Sequence, residues 1–192
     1  MQRLVLASGS PRRSLLLATA GYPHDVRVGD VDETLFDDEP VPDAVLRLSQ
    51  LKVGSVDRVR GEVVLGADTM VVLDGKPLGK PQDANDARSM LDRLSHRTHS
   101  VLTGWTAHGD RGERFGIAES WVTFKSLTTK EINSYIDDVR PFDKAGAYAL
   151  QGDRGRLVAE VNGSRANVMG LPLQDVVAAL DDLGLVCSAT DR

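Results

Sequence analysis

The stretch LASGSPRRSLLL, residues 6–17, constrains the fold of this chain more than any other. An apolar run, Leu4-Val5-Leu6, passes into small and hydroxyl residues, Ala7-Ser8-Gly9-Ser10. Pro11, two arginines and a second apolar run follow. Ser10 suits a helix N-cap, and Pro11 suits the first helical position, where a missing N–H costs nothing. The pattern predicts strand, tight turn, helix. Such a turn aims free N–H groups outward at the positive end of a helix dipole, which makes an anion site. Arg12 and Arg13 would add guanidinium forks shaped for phosphate oxygens. The same residues also fit an ordinary strand-to-helix turn with two solvated arginines, and this stretch alone leaves both readings standing.

The rest of the composition narrows the class. A chain of 192 residues with 41% hydrophobic content can bury one real core. A net charge of −5 argues against a general nucleic-acid binder, although it leaves room for a local basic cleft. The single cysteine, Cys187, rules out an intrachain disulfide and a multi-cysteine zinc site, and reads as a structural thiol in a reducing compartment. Leu4–Leu6 is too short for a secretory leader, and no run approaches the roughly 20 apolar residues that span a bilayer. The expectation is a cytoplasmic protein without membrane contact.

Taken in order, the first helix is expected from Pro11 to Ala20, capped by Gly21. A short strand is expected over Asp25–Val28, then an acidic loop over 29–43. In that loop Asp32 and Glu33 follow the strand directly, as solvated carboxylates or as groups that hold a metal or a water. Residues 43–59 read as a helix with Ala44, Leu48, Leu51, Ser55 and Val59 on one arc, flanked by Val45 and Val56. Lys52 falls inside that arc, so it must either snorkel or meet an anion. Val63–Leu65 reads as a buried central strand ending at Asp68-Thr69. A carboxylate there is costly unless cations or a metal pair with it, which marks Asp68 as a functional acid. Met70–Leu73 continues the strand to a hairpin turn at Asp74-Gly75. GKPLGK, residues 75–80, lacks the spacing of a nucleotide-binding P-loop.

Further on, Asp83–Ser95 reads as a helix, and 96–107 with 115–124 as a long hairpin. His96 and His99 read as surface or fold residues, not a metal pair. Thr128 and Glu131 form a capping-box pattern for a helix ending near Asp138. The segment 141–152 is rich in small residues, which allow close approach to its backbone. A strand over 157–161, a final helix ending at Gly184 and a frayed tail over 186–192 complete the reading.

LASGSPRRSLLL, VDET, RLSQLK, VLGADTMVV, GKPLGKP, FDKAGAYALQG and NVMGLPL, in this order from residue 4 to about residue 180, resemble the Maf family. The resemblance implies a nucleoside triphosphate pyrophosphatase with an inosine-triphosphatase-like α/β fold. That fold is an elongated mixed β-sheet flanked by helices, forming one domain over 1–192 with two lobes around a cleft, commonly in a homodimer. It also implies a phosphate-binding turn at Ser8, Arg12 and Arg13, an acidic position at Glu33, and essential lysines at Lys52 and Lys80. Asp68 matches the family's proton acceptor and Gln151 a base-recognition position. Arg12, Thr69 and Gln151 match the branch that acts on dTTP and UTP; a 7-methyl-GTP branch has Trp, Gln and Glu there. Ala149 and the pair Arg165-Ala166 depart from the family pattern.

The expected reaction is hydrolysis of the α–β phosphoanhydride, with a divalent cation, most simply Mg²⁺ but also Mn²⁺ or Co²⁺, held at Glu33 and Asp68. Either Asp68 or Glu33 could be the base. The alternatives are a purine (ITP-like) or 7-methyl-GTP pyrophosphatase, or a non-catalytic nucleotide or nucleic-acid-binding regulator of cell division.

Overall fold

The computed structural model describes residues 2–151, 153 and 155–187. The elements are β1 (Arg3–Leu6), α1 (Pro11–Thr19), β2 (His24–Val26), α2 (Val41–Gly54), β3 (Glu62–Leu73), β4 (Lys76–Leu78) and α3 (Ala84–Leu94). They continue as β5 (Thr98–Gly109), β6 (Gly112–Phe124), α4 (Thr129–Val139), a 3₁₀ turn at Ala145–Ala147, β7 (Val158–Asn162), α5 (Arg165–Val168) and α6 (Leu173–Asp182). Seven strands form one mixed sheet in the order β2-β1-β3-β5-β6-β7, with β4 paired to β3. β1 runs parallel to β2 and β3, while β4 and β7 pair antiparallel with β3 and β6. The fold is the expected mixed sheet with flanking helices.

The chain forms two compact units. One comprises Met1–Thr69, Thr103–Ala118 and Gly170–Arg192, the other Met70–Leu102 and Glu119–Met169. In the first unit, β1 and β3 are buried on both faces, as the continuous apolar runs require. Leu4, Leu6, Val63, Leu65 and Ala67 pack with Leu17, Tyr22, Leu171, Val176 and Leu180. The alternate residues Val5, Ala7 and Val64 pack with Val53 and Val56 of the α2 region. On that second face two glycines bring the helix down onto the sheet. A Cβ on Gly66 would lie 2.6 Å from the Ser49 carbonyl oxygen, and one on Gly104 2.3 Å from that of Val45. The α2 backbone therefore rests directly on β3 and β5, and Ser49 Oγ reaches Thr106 Oγ1 at 2.7 Å.

α2 corrects the expected helix over 43–59. It starts earlier because Val41 and Pro42 fit the first turn and Asp43 meets the positive dipole end. It stops at Gly54, after which Ser55 turns back to donate its hydroxyl to the Lys52 carbonyl at 2.8 Å. β2 is also shorter than expected.

In the second unit, Leu73, Leu91, Val101, Phe124, Ile132, Tyr135, Tyr148 and Leu157 form the core. The Thr128–Glu131 capping box is present as read. Asp74 and Gly75 both take positive φ, 54° and 74°, the geometry of a tight hairpin turn. That turn creates β4, a strand too short to announce itself; α5 is equally short. The small-residue segment has its reason in Gly146, at φ 66°, whose added Cβ would meet Val71 at 3.1 Å. Of the expected tail, Val186 and Cys187 are described, and Cys187 is tied down, its thiol donating to the Ala20 carbonyl at 3.2 Å. Residues 188–192 lie outside the described residues, as does Gly152 of the small-residue segment.

Candidate active site

The site is built in the first unit, where β1 turns into α1. Ser10 occupies the N-cap position, but its side chain makes no capping bond. Its N–H instead donates to Ser8 Oγ at 3.3 Å. Ser8, 7% exposed, also accepts from Arg13 Nη1 at 2.8 Å. Arg13 does not extend into solvent as a free phosphate ligand would. It is 8% exposed, with Nε donating to the Gly170 carbonyl at 2.8 Å and Nη2 to Thr69 Oγ1 at 3.1 Å. Thr69 Oγ1 is in turn 3.0 Å from Thr103 Oγ1. A guanidinium has about five N–H groups, so this network commits three and leaves one on each terminal nitrogen. Gly170 takes φ 111°, a conformation only glycine adopts readily, and this aims its carbonyl at Arg13. Burial lowers the Arg13 pKa from its ordinary value, while the Asp68 carboxylate pulls it back up. Arg12, one residue earlier, is half-buried, with no intramolecular partner among the described residues.

Beside this network lies a lysine bridging two carboxylates. Lys52 Nζ is 2.6 Å from Asp68 Oδ1 and 2.8 Å from Glu33 Oε1. The side chains of Lys52 and Asp68 are each 13% exposed, that of Glu33 54%. Lys52 thus meets anions from its place on the apolar arc, and Asp68 at the edge of a buried strand meets a cation. Each answers the other's desolvation cost.

The remaining sequence-derived residues belong to the second unit. Lys80 and Gln151 are both exposed. Gly79, next to Lys80, accepts from the Gly146 N–H at 3.0 Å, which ties the GKPLGK stretch to the small-residue segment that contains Gln151. Ala149, a departure from the family pattern, donates its N–H to Tyr135 Oη at 3.1 Å.

The two carboxylates also bear on a metal. Mg²⁺ takes oxygen donors in an octahedron and uses one or two carboxylates, filling the rest with waters and phosphate oxygens. Glu33 and Asp68, gathered on one ammonium, fit that donor set. Among the described residues no group of three or more His, Cys, Asp or Glu side chains would hold a metal by itself. A cation here would rely on substrate oxygens and water to complete its shell.

Sequence reasoning missed Thr103 and the role of Gly170. Both act by touching Arg13 or its partner Thr69, and nothing local in their own neighbourhoods signals it.

Fold and site define a mixed α/β protein that sets a buried arginine and a half-buried lysine beside two carboxylates, the charge pattern needed to hold and attack an anionic substrate. A model of the Maf-like protein family matches residues 3–183, and the chain belongs to that family. A protein named dTTP/UTP pyrophosphatase from Geotalea uraniireducens (strain Rf4) is 45% identical over 188 residues, covering 95% of this chain and 96% of that one. One of the same name from Anaeromyxobacter dehalogenans (strain 2CP-C) is 48% identical over 186 residues, 95% and 94% of the two chains. Another from Syntrophus aciditrophicus (strain SB) is 42% identical over 194 residues, 100% and 95% of the two.

Proposed function

We propose that this chain is a nucleoside triphosphate pyrophosphatase that hydrolyses dTTP and UTP to the monophosphate and pyrophosphate. The observation that carries this reading is Lys52 bridging Asp68 and Glu33, beside a basic helix start. The names and full-length similarity of the relatives support the substrate class.

In this reading Arg12, Lys52 and Lys80 neutralise the triphosphate and the charge that develops on the leaving pyrophosphate. Arg13 contributes through Ser8 and Thr69, shaping the turn, and with its two uncommitted N–H groups. Asp68 takes a proton from the water that attacks the α-phosphorus, and Lys52, 2.6 Å from its Oδ1, holds the carboxylate in place. Glu33 holds the water or the metal; with Asp68 on the metal, Glu33 becomes the base. A divalent ion, Mg²⁺ or else Mn²⁺ or Co²⁺, would be held by Glu33 and Asp68 and would lower the charge on the phosphate oxygens. Gln151 offers an amide donor and acceptor to the O4 and N3 edge of uracil or thymine. The reading extends to a single working domain, a homodimer in the cytoplasm, no nucleic-acid partner, and a role in clearing surplus or modified pyrimidine nucleotides.

The test is pyrophosphate release from a panel of nucleoside triphosphates with Mg²⁺, for wild type and Asp68→Asn. Release from dTTP and UTP, lost in the variant, is the expected result. A purine or 7-methyl-GTP preference would overturn the pyrimidine assignment, and nucleotide binding without release would point to a regulator.

A further inference from the structure

Glu33 poses a physical problem. It lies within residues 27–36, which belong to no helix or strand, and its side chain is 54% exposed. An exposed loop carboxylate has many conformations to lose, so its 2.8 Å contact with Lys52 calls for support from the loop around it.

The residues on either side of Glu33 are held. Asp32 Oδ1 accepts from the Thr34 N–H at 2.9 Å and from its hydroxyl at 2.6 Å, folding a local turn around Glu33. The Thr34 carbonyl accepts from Arg47 Nη2 at 3.2 Å. Arg47, on α2, also forks both oxygens of Glu39, Nε at 2.6 Å and Nη2 at 2.7 Å. Its guanidinium carbon stands 4.2 Å from the centre of the Phe36 ring. One side chain thus grips the loop at a carbonyl, a ring and a carboxylate, all within residues 34–39. The side chains of Arg47 and Glu39 are only 24% and 12% exposed. The hydrogen-bonded pair pushes the Arg47 pKa up and the Glu39 carboxyl down, as a stable fork should. Lys52 is five residues further along the same helix, about 7.5 Å in rise. The loop is therefore pinned to α2 at two places, by Arg47 and by Lys52.

We propose that Arg47 is a positioning residue: it clamps residues 34–39 onto α2 so that the Glu33 carboxylate meets Lys52, and it acts on the reaction through Glu33 without touching substrate. This rests on the reading of Glu33 as part of the reacting site. The fork and the flat stacking face are what an arginine supplies and a lysine does not.

The experiment is a double-mutant cycle of Arg47→Ala with Glu33→Gln, read by kcat and KM for dTTP, alongside amide hydrogen exchange of residues 31–36. In Arg47→Ala, kcat should fall about 10- to 100-fold, the cost of a slightly misplaced group, with KM changed less than about threefold. Added to Glu33→Gln, the same substitution should cost nothing further, because its only route is through Glu33. Arg47→Lys should lose as much as Arg47→Ala. The loop amides should exchange about tenfold faster in Arg47→Ala while the β1 and β3 amides keep their protection. Additive losses in the cycle, wild-type turnover in Arg47→Lys or unchanged loop exchange would each overturn the proposal. Should Arg47→Ala not fold, Glu39→Gln and Phe36→Leu open the same clamp from the loop side and enter the same cycle. A wild type that releases no pyrophosphate removes the proposed function, and the exchange arm then decides by itself whether Arg47 holds the loop.

Discussion

Lys52 and Asp68, sixteen residues apart in the chain, meet at 2.6 Å where the backbone of α2 rests on β3. Taking one partner from a half-buried ion pair leaves the other desolvated and alone, whereas replacing both by apolar groups of similar volume is often neutral or stabilising by about 1–4 kcal/mol. Lys52→Met should therefore destabilise the fold by about 1–3 kcal/mol, and Lys52→Met/Asp68→Leu should recover most of that loss. Neither variant should release pyrophosphate. Urea unfolding alongside the activity assay reads both. A double variant less stable than the single one would mean that the pair adds net stability to the fold.

The close approach of α2 carries its own prediction. Gly104→Ala places a methyl 2.3 Å from the Val45 carbonyl oxygen and 2.4 Å from its carbon, and backbone cannot rotate out of the way. The helix must lift, which should cost about 1–3 kcal/mol and draw Lys52 off Asp68, lowering kcat as well. Gly54, at the end of the same helix, has nothing within 4 Å of an added Cβ. Gly54→Ala should instead stabilise by about 0.5–1 kcal/mol, since it restricts the unfolded chain. Thermal melts of the two variants should move in opposite directions. A Gly104→Ala protein that melts with the wild type would refute the contact.

These two cases also separate what local sequence reveals from what it hides. Lys52 was legible because periodicity put a charge on an apolar arc, and burial left it little choice but an anion. Asp68 was legible for the converse reason. Both strands of the central pair were legible because parallel, doubly buried strands read as unbroken apolar runs. The ends of α2 were not, because the apolar pattern continues through Val56 and Val59 while the chain has already turned at Ser55. The burial of Arg13 was hidden too. Its partners Thr69 and Gly170 lie 56 and 157 residues away, and a lone arginine at a helix start looks the same whether it faces solvent or a carbonyl. β4 and α5 are too short to show a period at all.

His99 gives a prediction in pH. The ring is 2% exposed and packs edge-on to Phe124 and Tyr148, with centroids 5.1 and 5.4 Å away. Nε2 lies 2.8 Å from Tyr148 Oη, and Nδ1 has no partner among the described residues. A second proton would sit on a buried N–H with no acceptor, so burial pushes the pKa down from 6.5 to about 4. The unfolded chain, with an ordinary histidine, then binds more protons than the native one between those values. Stability from the neutral ring is complete above about pH 6.5 and is lost as the pH falls towards 4. The full loss is at most about 3 kcal/mol. Carboxylates add their own slope towards the acid end of that window, so the effect of His99 is read as a difference from a variant that lacks it. His99→Phe/Tyr148→Phe keeps two rings in the core and removes both ring nitrogens and the Tyr148 hydroxyl. Its unfolding free energy should be markedly flatter across this window than that of the wild type, as measured by urea titration at several pH values. Equal slopes in the two proteins would show that His99 is protonated as readily in the fold as outside it.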